Sequence, residues 1–292
     1  MSGEFPGSGK HRPLLLRAAV VLIVAASSMQ APMLIAQAAS PQKGWVLTWS
    51  DEFNSQDGSA PDPSKWGFDI GGNGWGNNEL EYYTARRENS QIRNGNLEIT
   101  ARREEYIGTD FIRRGYTSGR LKSKGKFAQR YGRFEARMKI PSGKGMWPAF
   151  WMMGDDFDTV GWPSCGEIDV MENVGNEPFT VHGTFHGPGY SGNDGPTAEY
   201  AAPGAKLADD YHIYAVEWEP AQIRFYLDDH LYFTGTPRNL PAEKKWVFDH
   251  PFYLILNVAV GGEWPGTPEP ATLFPQSMLV DYVRVYSRSD QK

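Results

Sequence analysis

The segment Gly166-Glu167-Ile168-Asp169-Val170-Met171-Glu172-Asn173 gathers three carboxylates. Glu167 and Asp169 are two apart, so on a strand they project from one face while Ile168 and Val170 project from the other. Glu172 lies five positions from Glu167, an odd offset that a regular strand turns toward the apolar side. A β-bulge at Val170-Met171 makes the effective spacing four and returns all three carboxylates to one face. Four strand steps separate the outer Cα atoms by roughly 13 Å at about 3.3 Å per residue. With each Glu leaning into the gap, the carboxyl groups approach to about 5 to 6 Å, the separation of a retaining rather than an inverting glycosidase. One Glu then attacks, and the other protonates the leaving oxygen and later activates water. Asp169 adds a like charge that raises the pKa of its neighbours and helps keep the acid protonated near neutral pH. A solvated acidic strand face or a calcium-binding cluster is the alternative reading of this spacing. Carboxylates this close repel, so a strand carrying them without a function is costly.

Upstream, Trp147 and Trp151 in Met146-Trp147-Pro148-Ala149-Phe150-Trp151-Met152 are four apart and share a strand face. A loop from Gly154 to Cys165 leads from them into the acidic segment, which makes the two strands neighbours. Flat indole rings beside carboxylates suit a sugar, whose C–H face stacks on a π surface while its hydroxyls need polar partners. Taken singly, either Trp could instead be core. Cys165 reads as a small packed residue, because glycoside cleavage needs no thiol. His182 and His186 share a face but lack a clear third ligand for a transition metal.

The elements that must position these groups read as short strands. From Tyr131 to Ile140, Phe134, Ala136, Met138 and Ile140 share one face, and Arg133, Glu135, Arg137 and Lys139 share the other. Similar alternation recurs at Leu97-Ile99-Ala101, Ile223-Phe225-Leu227 and Leu279-Val283-Val285, with turn residues at Ser142-Gly143 and Asp228-Asp229. Phe252 to Leu256 is apolar on both faces, as a central strand is, although periodicity alone leaves a buried helix open. Gly- and Pro-rich stretches at 71–76, 187–196 and 261–270 read as loops, where binding residues tend to sit. The expectation is two packed antiparallel sheets with a loop-walled face.

Composition narrows the function classes. With 29 Lys plus Arg against 35 Asp plus Glu the chain is acidic, which argues against nucleic acid as a partner. The single Cys excludes an internal disulfide. Ten Trp, 14 Tyr and 15 Phe mark a folded chain rather than a solvated one. At the N-terminus, Lys10, Arg12 and Arg17 precede the apolar run Ala18 to Ala26, and Ala36-Gln37-Ala38-Ala39 offers small residues for a peptidase. Residues 1–39 therefore read as a secretory signal peptide, too short in its apolar run to span a membrane, which needs about 20 residues. An uncleaved anchor is the alternative. Residues 40–292 then form one catalytic domain, secreted and extracellular, with no membrane contact and no sign of an obligate partner, hence a monomer.

Together these segments resemble glycoside hydrolase family 16, and within it the bacterial endo-1,3-β-glucanases, or laminarinases. The resemblance runs through Trp49-Ser50-Asp51-Glu52-Phe53, Asn78-Glu79-Leu80-Glu81-Tyr82-Tyr83-Thr84, Ser118-Gly119-Arg120, Trp147 to Trp151, the acidic segment, His182 to Gly187, Leu256 to Gly262 and Asp281 to Tyr286. It implies an all-β fold, a β-jelly roll sandwich of two curved antiparallel sheets with a substrate cleft on the concave face. It also implies Glu167 as nucleophile, Glu172 as acid/base, Asp169 as the residue that orients and tunes them, and His186 beside them. Asn78, Arg120, Trp147, Trp151 and Trp264 map to its cleft residues, and the expected partner is a β-1,3-glucan. Agarases and carrageenases carry the same longer acidic motif, so a galactan, a mixed-linkage 1,3-1,4-glucan, or glucan binding without cleavage remain the competing functions.

No cofactor is needed for such catalysis. Some relatives hold a structural Ca²⁺, and the matching positions are Glu52, the Gly95 carbonyl and Asp281. Asp281 falls in register with Leu279, Val283 and Val285, and a carboxylate on an apolar face needs a partner. Calcium would supply one; a nearby Lys or Arg would do equally well.

Overall fold

The computed structural model describes residues 44–289; the segment read as a signal peptide, 1–39, lies outside them. The strands in chain order are β1 (Trp45–Asp51), β2 (Gly67–Phe68), β3 (Glu81–Tyr83), β4 (Ser90–Arg93), β5 (Asn96–Ile107), β6 (Arg113–Ser118), β7 (Arg120–Lys122), β8 (Gly132–Lys139) and β9 (Met146–Gly154). After a one-turn helix, α1 (Phe157–Val160), come β10 (Glu167–Glu172), β11 (Thr180–His186), β12 (Thr197–Ala201), β13 (His212–Glu219), β14 (Gln222–Leu227), β15 (His230–Gly235), β16 (Phe252–Val260) and β17 (Gln276–Arg288).

Two sheets form a jelly-roll sandwich. One has seven strands in the order β12-β11-β10-β9-β16-β7-β2, and the other has ten, built around β15-β14-β13-β8-β17-β5-β6-β3 with β1 on β17 and β4 on β5. Pairing is antiparallel with one exception among the described residues, because β3 runs parallel to β6. The two-sheet antiparallel jelly roll expected from the sequence is otherwise what is found.

Alternation decides what fills the space between the sheets. Phe134, Ala136 and Met138 of β8 and Leu97, Ile99 and Ala101 of β5 meet Phe150 and Met152 of β9, Ile168 of β10 and Leu254, Leu256 and Val258 of β16 in one buried cluster. Each large apolar side chain so buried stabilises the fold by about 1.5–3 kcal/mol. β16 is buried along its whole length, as a central strand must be. On its other face Tyr253 and Ile255 pack with Ala149, Trp151, Met153 and Cys165 in a second cluster. Burial pushes the Cys165 thiol up to about 11, so it stays a neutral packing group.

The polar face of β8 is less exposed than its alternation suggests. Arg133 and Glu135 are buried beside Glu217, and Arg133 donates to Glu135 at 2.8 Å while Arg224 donates to Glu217 at 2.8 Å. Buried charges persist only when paired in this way.

β17 departs from the sequence reading. Its register on β8 shifts between Val280 and Tyr282, so Met278, Val280, Val283 and Val285 face the core while Leu279 and Asp281 do not. The extra residue flips the parity, and Asp281 therefore sits beside Arg137 rather than on an apolar face.

Candidate active site

The acidic residues lie on the outward face of the seven-stranded sheet. Glu167 pairs with His186 of β11 and Met153 of β9; Glu172 pairs with His182 and Ala149. The neighbouring strands advance four residues between these rungs, whereas β10 advances five. The surplus is absorbed between Asp169 and Glu172, where Val170 and Met171 both turn inward into the core. A one-residue bulge thus sets all three carboxylates on one face. Gly166 makes the turn into the strand with φ +72°, and a Cβ there would lie 2.9 Å from the Phe252 ring, so only glycine fits.

Rungs of the ladder extend the site across the sheet. Arg120 of β7, Asn257 of β16, Ala149, Glu172 and His182 form one row; Ile255, Trp151, Asp169 and Thr184 form the next.

Asp169 is 3% exposed, and its Oδ2 lies 3.1 Å from His186 Nε2. Burial first, and then the Glu167 charge, push the Asp169 carboxyl well above the usual carboxylate range. Glu172 is also pushed well above that range, by burial first and then by Asp169; His186 opposes the shift, and so does the Trp147 indole N–H, which donates to Glu172 at 3.0 Å. A carboxyl whose proton is held above the ordinary range is suited to donate it to a leaving oxygen. Gly195 presses against His186, and a Cβ there would lie 2.4 Å from Nδ1.

The other sequence-derived residues take distinct places. Trp147 is half-buried, with Trp264 edge-on to it at 5.5 Å and His182 edge-on to Trp264 at 4.8 Å. Trp151 offers less of an open ring than expected: it is 8% exposed, donates to Asn257 at 2.7 Å, and has the Arg120 guanidinium 4.8 Å from its ring. It is a floor residue. Arg120 also lies 4.6 Å from the Trp75 ring and is paired with Asp69 at 3.0 Å. Asn78 donates to Glu263 at 2.6 Å, which laces the 71–79 loop to the one bearing Trp264.

Sequence reasoning passed over Trp162, whose indole N–H donates to Glu167, and Asn257, which holds Trp151. Asn257 had a readable signal, as the lone polar residue inside the apolar run of β16. Trp162 had none, because a loop residue's direction follows from the whole turn.

Two of the three positions matched to calcium, Glu52 and Asp281, are paired with arginines. Glu52 receives a two-pronged donation from Arg284 at 2.9 and 2.7 Å, and Arg284 holds its carboxyl below the usual range. Asp281 accepts from Arg137 at 2.7 Å, and Gly95 lies in the turn between β4 and β5 with φ +70°. An ion would have to displace both guanidiniums, so these residues as arranged do not fit one, and arginine supplies the partner that Asp281 needs. Excess EDTA is therefore expected to leave the melting temperature unchanged. A fall reversed by added Ca²⁺ would contradict this.

Comparison with known proteins agrees with the geometry. The family model described as glycosyl hydrolases family 16 matches residues 77–284. A beta-glucanase of Rhodothermus marinus is 46% identical over 251 residues, spanning 83% of this chain and 85% of the relative. The solved endo-beta-1,3-glucanase from Pyrococcus furiosus shares 48% identity at a TM-score of 0.80, covering 84% of this chain and 95% of that one. The laminarinase catalytic domain from Thermotoga maritima shares 47% identity at a TM-score of 0.79, covering 84% and 99%. The carboxylate face, the indoles beside it and these likenesses lead to one conclusion: the chain belongs to glycosyl hydrolase family 16 and is a glycoside hydrolase of the bacterial laminarinase type.

Proposed function

We propose that the protein is a secreted, endo-acting, retaining hydrolase of internal β-1,3-glucosidic bonds in laminarin-type glucans. The observation that carries the reading is the bulged strand that sets Glu167 and Glu172 on one face with an effective four-residue spacing. The names of the similar proteins, a laminarinase and an endo-β-1,3-glucanase among them, support the substrate class.

In this mechanism a Glu167 oxygen attacks the anomeric carbon as Glu172 gives its proton to the glycosidic oxygen. The C–O bond breaks, the shortened glucan leaves, and a glycosyl ester remains on Glu167. Glu172, now ionised, takes a proton from water, whose oxygen attacks the same carbon and restores Glu167. Two inversions return the original configuration. Asp169, two residues from Glu167 on the same face and 3.1 Å from His186, keeps that carboxyl aligned, and Trp162 donates to Glu167 from the loop. The half-buried Trp147 and exposed Trp264 supply faces for pyranose rings, and Asn78 and Arg120 supply polar contacts for hydroxyls.

The test is reducing-end release from laminarin by residues 40–292, with Glu167→Gln as the matched control. Early short oligosaccharides from the wild type alone are expected. A folded wild type that releases nothing from laminarin, yet cuts a mixed-linkage glucan or a galactan, would replace the substrate.

A further inference from the structure

Behind the cleft lies a second carboxyl pair that bond cleavage does not use. Glu79 is 4% exposed and Glu81, at the start of β3, is 0% exposed. The guanidinium whose charge reaches this segment, Arg120, is already paired with Asp69. Two ionised carboxylates in contact in a dry site repel strongly, so one must hold a proton.

Hydrogen bonds say which. Glu79 Oε1 accepts from Asn77 at 3.1 Å and Oε2 accepts from the Tyr83 hydroxyl at 3.0 Å. Glu81 Oε2 accepts the Val260 backbone N–H at 2.6 Å, whereas Glu81 Oε1 is buried and receives no donor. An acceptor left without a donor beside another carboxylate is satisfied by carrying the proton itself. Glu81 then donates to Glu79, and the charge rests on Glu79. Burial and the Glu79 charge act in the same direction, pushing Glu81 well above the usual range.

From this pair, hydrogen bonds lead to the sugar-facing surface. The Tyr83 hydroxyl accepts from Asn257 at 3.1 Å, and Asn257 accepts the Trp151 indole N–H at 2.7 Å. On the other side, Glu263 N–H donates to the Asn77 carbonyl at 2.9 Å, and Leu80 N–H donates to the Val260 carbonyl at 2.8 Å. The floor and both wall loops thus converge on two carboxyl groups.

We infer that Glu79 and Glu81 share one proton and act together as positioning residues for the substrate wall, holding Trp151, Asn78 and the loop that carries Trp264. This deepens the glucan reading and rests on it. The other titratable groups facing the pair are Tyr83 on the same strand and Arg120 on β7, with Tyr116 in register with Glu81 on β6. Burial holds the Tyr83 hydroxyl neutral. Loss of the shared proton places a second charge in the dry site and loosens the wall.

The experiment measures laminaripentaose affinity by calorimetry across pH in a Glu172→Gln parent, alone and with Glu81→Gln or Glu81→Leu. In the parent, affinity is expected to fall about tenfold on the alkaline side, the equivalent of one pKa unit of difference between free and bound forms. Glu81→Gln keeps a donor toward Glu79 and an acceptor for Val260, so it should match the parent at neutral pH and lose the alkaline fall. Glu81→Leu should bind more weakly at every pH. An alkaline fall that survives in Glu81→Gln, or a Gln variant as weak as the Leu variant, overturns the inference.

A parent that binds no pentaose defeats the glucan reading instead, and the pair is then judged by thermal unfolding. A carboxyl raised in the folded state adds stability at low pH that is lost as pH rises through its folded value. The parent should therefore lose melting temperature against Glu81→Gln with rising pH; a constant gap overturns the shared proton.

Discussion

Substituting Glu172 by Gln is expected to lower kcat on laminarin by about 10²- to 10⁴-fold, the contribution of a positioned general acid. The amide keeps the volume and still accepts the Trp147 indole N–H, so substrate affinity should hardly move. An activated aryl glycoside, whose leaving group departs without help, should form the glycosyl ester at nearly the wild-type rate. It should then stall, because no base remains to activate water. The same residue sets the alkaline limb of the wild-type pH profile. Burial and Asp169 hold its proton above the ordinary carboxylate range, so activity persists into neutral pH and declines as Glu172 ionises. Removing the neighbouring charge with Asp169→Asn should move that limb to lower pH. Equal losses of binding and turnover in Glu172→Gln, with an unmoved alkaline limb in Asp169→Asn, would reassign the acid.

Removing the other carboxylate should cost more. Glu167→Ala deletes the atom that attacks carbon, and losses of about 10⁴-fold or greater are typical when a member of a concerted catalytic set is removed. The truncation also leaves space on the face opposite the leaving group. Azide placed there can react with an activated β-glycoside in a single displacement, giving the α-glycosyl azide. Rescue with that inverted product would identify Glu167 as the nucleophile. Rescue with a β-product would place azide on the acid/base side instead and exchange the two roles.

Much of the site was legible because its polarity conflicts with its periodicity. The odd spacing of Glu167 and Glu172 cannot fit a regular strand, and the bulge that resolves it is present in β10. The same device went unread in β17. There Asp281 gave the same signal, a carboxylate in register with apolar residues, but the conflict was met by expecting a partner for it rather than the shift at Val280/Tyr282 that moves it beside Arg137. Trp151 shows a second limit. Its position on the indole face follows from strand periodicity, but its burial depends on Arg120 and Asn257, brought beside it by β7 and β16. The parallel pairing of β3 with β6 likewise depends on long-range closure, and it is what carries Glu81 into the interior. Alternation along a strand is local and readable; partners supplied by a distant strand are not.

The most direct test of a two-carboxylate retaining hydrolase is proton NMR of the first sugar released when the wild type cuts a defined laminari-oligosaccharide, recorded before mutarotation. The β-anomer should appear first, with the α-anomer growing in later as the free sugar equilibrates. Initial release of the α-anomer would contradict the glycosyl ester on Glu167, and with it the roles assigned to the bulged strand.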